Sequence, residues 1–150
     1  AFHFGSMPDN MSGTADAVLL IRALHNLARF ENDGAYLSSA LAEIKRVLKP
    51  GGIIGVVQHM APDSNSDAWA NGSRGYLKKA FVIKTITDAG FELVDESDVN
   101  SNSADQPSEE DIVWRLPPSF ATSGDNAEMK AKYAAIGESN RMTLLFRKAK

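Results

Sequence analysis

Between Leu37 and Gln58 the sequence allows few folds. Leu37, Leu41, Ile44 and Leu48 recur at i, i+4, i+7 and i+11, which is one apolar stripe on a helix. Glu43, Lys45 and Arg46 fall off that stripe. The spacing predicts a helix over 34–48, with Asp33 as its N-cap. Lys49-Pro50-Gly51-Gly52 then stops it with a cation, a helix breaker and two glycines free to take positive φ. Ile53-Ile-Gly-Val-Val-Gln58 follows at once, a short apolar run suited to a strand buried on both faces. Helix, hard stop and buried strand in this order are the middle of a parallel α/β unit.

The flanking segments extend the alternation. Asp16-Ala-Val-Leu-Leu-Ile21 reads as a buried strand, and residues 76–89 as a second amphipathic helix with Val82, Ile83, Ile86 and Ala89 inward. Gly90 ends that helix, and Phe91-Glu-Leu-Val94 alternates into a third strand. Residues 98–111 are rich in Asn, Ser, Asp and Glu, and read as loop. A helix is expected over 127–136 and a closing strand over 141–147, which lacks a clear crossover helix and is open to an antiparallel placement. A short strand is also expected at Phe2–Phe4. The expectation is one α/β domain over residues 1–150, with 98–140 as an irregular insertion.

Composition narrows the functional classes. Hydrophobic residues make up 43% of the chain, enough for a packed core. A formal net charge of -3 and no long basic run argue against nucleic acid or an anionic membrane as partner. No apolar run approaches the length that spans a bilayer. With no cysteine, the sequence excludes disulfides, thiolate zinc sites and cysteine nucleophiles, and fits a reducing, cytoplasmic setting.

Polar residues gather where strands end. Arg22, His25 and Asn26 follow the first strand, and Gln58 and His59 close the second, the places where open α/β sheets bind ligands. Either histidine could serve as a general base. Equally, His25 and Asn26 could bond nearby backbone and only shape a turn. Two histidines without a positioned third ligand do not make a metal site, so none is expected. Arg74 and Tyr76 begin the predicted helix, where Arg74 could meet an anionic group or be solvated. Trp69 and Trp114 read as packing or lid residues, and Glu109-Glu110-Asp111 as a solvated loop. His3 has no supporting neighbours. Neither a G-x-S-x-G elbow nor a cysteine supports a hydrolase.

Several of these segments resemble class I S-adenosylmethionine-dependent methyltransferases. Ala42 to Val57, AEIKRVLKPGGIIGVV, is similar to the helix, L-K-P-G-G turn and fifth strand of that family. Asp16-Ala-Val-Leu-Leu resembles its fourth strand, Ala89-Gly90-Phe91 the turn into its sixth, and Met142–Arg147 its last. Arg22-Ala-Leu-His25-Asn26, His59-Met-Ala61 and Gly75-Tyr76 resemble an uncharacterised group of predicted bacterial methyltransferases. The family's first strand, glycine-rich turn and acid ending the second strand have no counterpart, for no G-x-G-x-G stretch occurs.

The resemblance implies a Rossmann-like partial methyltransferase fold. It would have a mostly parallel sheet with an antiparallel last strand, the order four, five, seven, six, and no N-terminal βαβ half. It implies S-adenosylmethionine as cofactor, with Ser6, Met7 and Ile21 beside it. His59, His25 and Arg22 would then position the acceptor or take its proton, and Gln58, Arg74 and Tyr76 would bind a small-molecule substrate. Without the family's first strand, the edge at Asp16–Ile21 would be bare and apolar, so a dimer through that edge is expected. The alternative is a non-catalytic oligomeric binding or assembly module derived from a truncated methyltransferase.

Overall fold

The structure is a computed structural model and describes residues 3–150. Strand β1 (Ala15–Ile21) leads through two short helices, α1 (Leu24–Ala28) and α2 (Glu31–Gly34), into α3 (Tyr36–Val47). Strand β2 (Leu48–His59) is the longest strand, and α4 (Lys79–Asp88) and β3 (Phe91–Ser97) follow it. After an irregular stretch come α5 (Ala127–Ile136) and β4 (Arg141–Lys148).

The four strands form one sheet in the order β1-β2-β4-β3. β1 runs parallel to β2, while β4 lies antiparallel to both β2 and β3. This is the mixed sheet expected, with the last strand reversed. β4 can be reversed because it needs no crossover helix over the sheet.

The apolar stripe of α3 explains its docking. Leu37, Leu41, Ile44 and Leu48 are buried, as are Ala40 and Val47. They meet Leu20, Ile54, Val56, Leu144 and Phe146 from alternate positions along the strands, with Val82 and Ile86 of α4. Each such side chain taken from water contributes about 1.5–3 kcal/mol. Strand periodicity turns the odd-numbered residues of β1 and β2 the other way. On that face Leu19 is 68% and Ile21 51% exposed, and Leu19 lies over Gly55. Among the described residues, β1 pairs only with β2, so its outer edge is open.

Some expectations need correction. The N-terminus of α3 is not capped by Asp33, which lies inside α2. Glu31 takes that role, its Oε2 accepting from the Leu37 and Ser38 amides at 2.6 and 3.1 Å, because Ala35 turns left-handed and brings α3 back over α2. The second long helix starts at Lys79 rather than 76. Leu77 stays extended because its amide donates to the His59 carbonyl and its own carbonyl accepts from the Ala61 amide. Phe2 lies outside the described residues, and His3 and Phe4 form no strand. The loop at 109–111 is not simply solvated: Glu109 accepts from the Ser66 amide and Asp111 pairs with Arg115.

Candidate functional site

β1 and β2 end side by side, with Ile21 opposite Val57. The gap between them opens into a cleft of about 550 Å³. Its floor is Ile21, Arg22, His25, Asn26 and His59. The irregular insertion supplies the walls, from the segment 113–119 and from Glu138-Ser139 before β4. Trp114 stands edge-on to His25, with ring centroids 5.9 Å apart. The prediction placed the polar groups at these strand ends, and the structure joins them: the His25 and His59 rings lie 5.5 Å apart.

Local backbone chemistry aims these side chains. The Arg22 amide extends the β1–β2 ladder by donating to the Val57 carbonyl at 2.7 Å, and its φ of 53° turns the chain out of the strand. A left-handed non-glycine residue costs about 1–3 kcal/mol and is held only by its surroundings. α1 begins two residues later. Its unpaired first-turn amide at His25 donates to Gln58 Oε1 at 3.2 Å, so a β2 side chain caps a helix that no serine or aspartate caps. Gly72, at φ 98°, passes against the His25 carbonyl, where a Cβ has no room.

Both histidines are kept neutral. Burial above all, then the repulsion that a proton on His59 would meet from neighbouring His25, Arg141 and Arg22, pushes His59 down to about 3. His25 also falls below its ordinary value, chiefly through burial, with Arg29 adding to this and the Gln58 bond opposing it. His59 Nδ1 sits 2.6 Å from Ser139 Oγ, which ties β2 to the insertion. Glu138, the one carboxylate lining the cleft among the described residues, is held by Arg141 at 2.7 Å.

A second buried group fixes the walls. Arg115 donates to the Tyr76 hydroxyl at 2.8 Å and to Asp105 Oδ1 at 2.6 Å. The Tyr76 hydroxyl donates to Asp105, which also accepts from the Asn140 amide at 2.9 Å. Trp69 stacks on Tyr76 at 5.2 Å. Asp105 and Arg115 are 1% and 2% exposed, so this is a fully desolvated ion pair inside the insertion. Sequence reading missed both. Each sits alone among loop residues, and nothing in local spacing joins position 105 to 115 and 76.

The predicted site residues divide accordingly. His25, His59, Arg22 and Ile21 line one cleft. Gln58 is completely buried and works behind the histidines. Tyr76 belongs to the ion-pair network, and Arg74, absent from the cleft lining, offers its backbone carbonyl to the Val113 amide. Neither lines the cleft, although the Tyr76 ring stands edge-on behind His59 at 6.2 Å, and Leu77 bridges to Met60 instead of opening a helix. Ser6 and Met7 lie away from the cleft too. The Met7 amide donates to Glu43 at 3.2 Å and its carbonyl accepts from Arg46 at 2.9 Å, beside the C-terminal turns of α3. Ser6 bonds the carbonyl of His3. Among the described residues no group of three or more His, Cys, Asp and Glu is placed to hold a metal ion.

Comparison with known proteins points one way. A family model described as a methyltransferase domain matches residues 5–56, which hold β1, α1, α2, α3 and most of β2. Solved structures match nearly the whole chain. A Bacillus halodurans protein named as a methyltransferase aligns at TM-score 0.58 and 18% identity, over 99% of this chain and 76% of its own. A protein named as a methyltransferase and solved in complex with the Trm112 methyltransferase activator of Haloferax volcanii aligns at 0.58 and 15%, over 99% of this chain and 60% of its own. The 4+2 cyclase SpnF aligns at 0.54 and 23%, over 96% of this chain and 55% of its own. The fold is that of a class I methyltransferase. No curated protein matches the chain.

This chain therefore spans little more than half the length of two of those methyltransferase-fold structures. S-adenosylmethionine, the donor that such a fold implies, calls for a backbone turn against its amino-acid part and an acid for its ribose hydroxyls. At the end of β1 the described residues offer Ile21 and Arg22, and the cleft's carboxylate is already paired. By themselves these residues do not make a complete holder for that cofactor. No helix among the described residues is long and apolar enough to cross a membrane.

Proposed function

We propose that this chain provides the acceptor side of an S-adenosylmethionine-dependent methyltransferase, completed by a second copy against the open edge of β1. The observation that carries the reading is the cleft at the ends of β1 and β2, where two buried neutral histidines and Arg22 face one space. A cleft of about 550 Å³ lies within the range of roughly 300–1,000 Å³ that suits a small-molecule substrate. His25 and His59 differ in what they can do there. His59, bonded to Ser139 and deeply depressed in pKa, orients the cleft. His25, the less perturbed base, takes a proton from the acceptor, and Arg22 offsets the negative charge that develops. Trp114 and Pro117 wall the cleft on one side.

The exposure of Leu19 and Ile21 on a strand whose outer edge is unpaired among the described residues supports the second copy, since an open apolar edge is a template for pairing. Such a dimer would cover the edge and bring further groups to the end of β1. We place the protein in the cytoplasm, in keeping with a chain without cysteine. Isothermal titration with S-adenosylhomocysteine, run beside sedimentation velocity at the same concentration, tests the reading. Micromolar binding by an associated species supports it. A stable monomer that takes up no ligand at millimolar concentration contradicts it, and favours a non-catalytic assembly module instead.

A further inference from the structure

Gln58 is completely buried, yet each of its amide atoms has a defined task. Its Nε2 donates to the carbonyls of Gly75 at 2.8 Å and His59 at 3.2 Å, groups that can only accept. Its Oε1 must therefore face the other way, where it accepts from the His25 backbone amide at 3.2 Å, a group that can only donate. The same oxygen lies 3.2 Å from His25 Nδ1. An amide oxygen carries no proton, so Nδ1 must supply one. A neutral imidazole has a single N–H, which leaves Nε2 with a lone pair. Among the described residues no protein group bonds that atom. Gln58 does not line the cleft and His25 does, so the ring edge turned away from Gln58 is the one a ligand meets.

We propose that Gln58 is a positioning residue that locks His25 in its Nδ1–H tautomer, so that the cleft presents a bare lone pair and selects ligands by an O–H or N–H donor. The selection half of this rests on reading the cleft as the acceptor site; the tautomer does not. The other tautomer would place an N–H in the cleft and favour carbonyls or ethers. The consequence for turnover is direct. Methyl transfer would break the sulfonium–methyl bond, form the acceptor–methyl bond and pass the acceptor's proton to Nε2; once His25 returned that proton to solvent, the methylated product would offer Nε2 no donor and could leave. Of the nearby cations, Arg22 lines the cleft beside His25 and Arg29 opposes a positive charge on the ring, which favours the neutral form with its single N–H. Arg141 is paired with Glu138, and Arg29 lies over the Phe30 ring.

The test uses the intact chain with nitrogen-15 histidine and long-range proton–nitrogen NMR at neutral pH, without cofactor. The His25 spectrum should show a protonated Nδ1 and an unprotonated Nε2; the reverse pattern overturns the proposal. Gln58→Met removes the acceptor and should release His25 to the Nε2–H form, and persistence of Nδ1–H in that variant also overturns it. If the variant does not fold, the wild-type spectrum alone decides. Phenol and anisole, alike in shape but only one a donor, then test selection. Phenol should shift the Nε2 resonance and anisole should not, and equal responses or no response to phenol overturn the selection. None of these readouts needs methyl transfer, so failure of the methyltransferase reading and failure of the tautomer lock are separately visible.

Discussion

Replacing His59 with asparagine should flatten the acid limb of this protein's stability. In the folded chain His59 is held near 3, while the unfolded chain returns it to its ordinary 6.5. Between those values the unfolded state binds a proton that the folded state refuses, so stability falls as pH drops through 6.5 and stops falling below about 3. Each unit of that gap is worth about 1.4 kcal/mol, so His59 alone should remove about 2 kcal/mol between neutral pH and pH 5. Over the whole window the loss approaches about 5 kcal/mol, a large share of a typical domain's stability. His25 shifts in the same direction, but it is present in both proteins and largely cancels in their difference. Asparagine keeps a polar atom near the position of Nδ1, so the bond to Ser139 can re-form. The assay is urea unfolding of wild type and His59→Asn from pH 7.5 to 4.5, with the difference plotted against pH. A wild-type loss about 2 kcal/mol steeper by pH 5 is expected. Parallel curves would refute the claim that this histidine is buried and neutral.

Other consequences follow from the same geometry. Arg115→Met strands the Asp105 carboxylate in a site 1% exposed, so it should cost about 3–5 kcal/mol in urea unfolding. A loss below about 1 kcal/mol would mean that the pair is solvated. Gly75→Ala meets both a φ of 87° and the Val113 side chain, so it should lose more than about 1 kcal/mol and alter the fluorescence of Trp114 in the same wall. Leu19→Glu alters a side chain 68% exposed on the open strand, so it should change monomer stability by less than about 0.5 kcal/mol yet abolish self-association in sedimentation velocity.

What the sequence disclosed and what it hid have physical explanations. The stripe from Leu37 to Leu48 and the run from Ile53 to Gln58 carry the 3.6 and near-continuous apolar patterns that burial imposes, and both elements exist, but the helix ends at Val47 and β2 already begins at Leu48, running through the Lys49–Gly52 segment that the sequence marks as a stop. The reversed β4 and the sheet order needed the family resemblance, because periodicity does not report strand direction. His25 and His59 could be joined in one cleft because His59 closes β2 and His25 follows closely on the end of the neighbouring parallel strand β1. Gln58 was assigned to substrate, but its side chain turns inward to cap α1, a choice set by an unpaired amide 33 residues away. Tyr76 was drawn to the cleft by its place before a helix, and the buried Asp105–Arg115 pair, which no local pattern announces, claims it instead. Ser6 and Met7 followed the family's loop, whereas Glu43 and Arg46 hold Met7 beside the far end of α3.

The most direct test of the account is photochemical. Tritiated S-adenosylmethionine irradiated with the chain at a concentration where it self-associates should label the fragment that carries Ile21, Arg22 and His25, the floor of the cleft at the end of β1. Label there, displaced by unlabelled S-adenosylhomocysteine, is the predicted result. No label, or label confined to fragments such as residues 3–14 that lie away from the cleft, would contradict it.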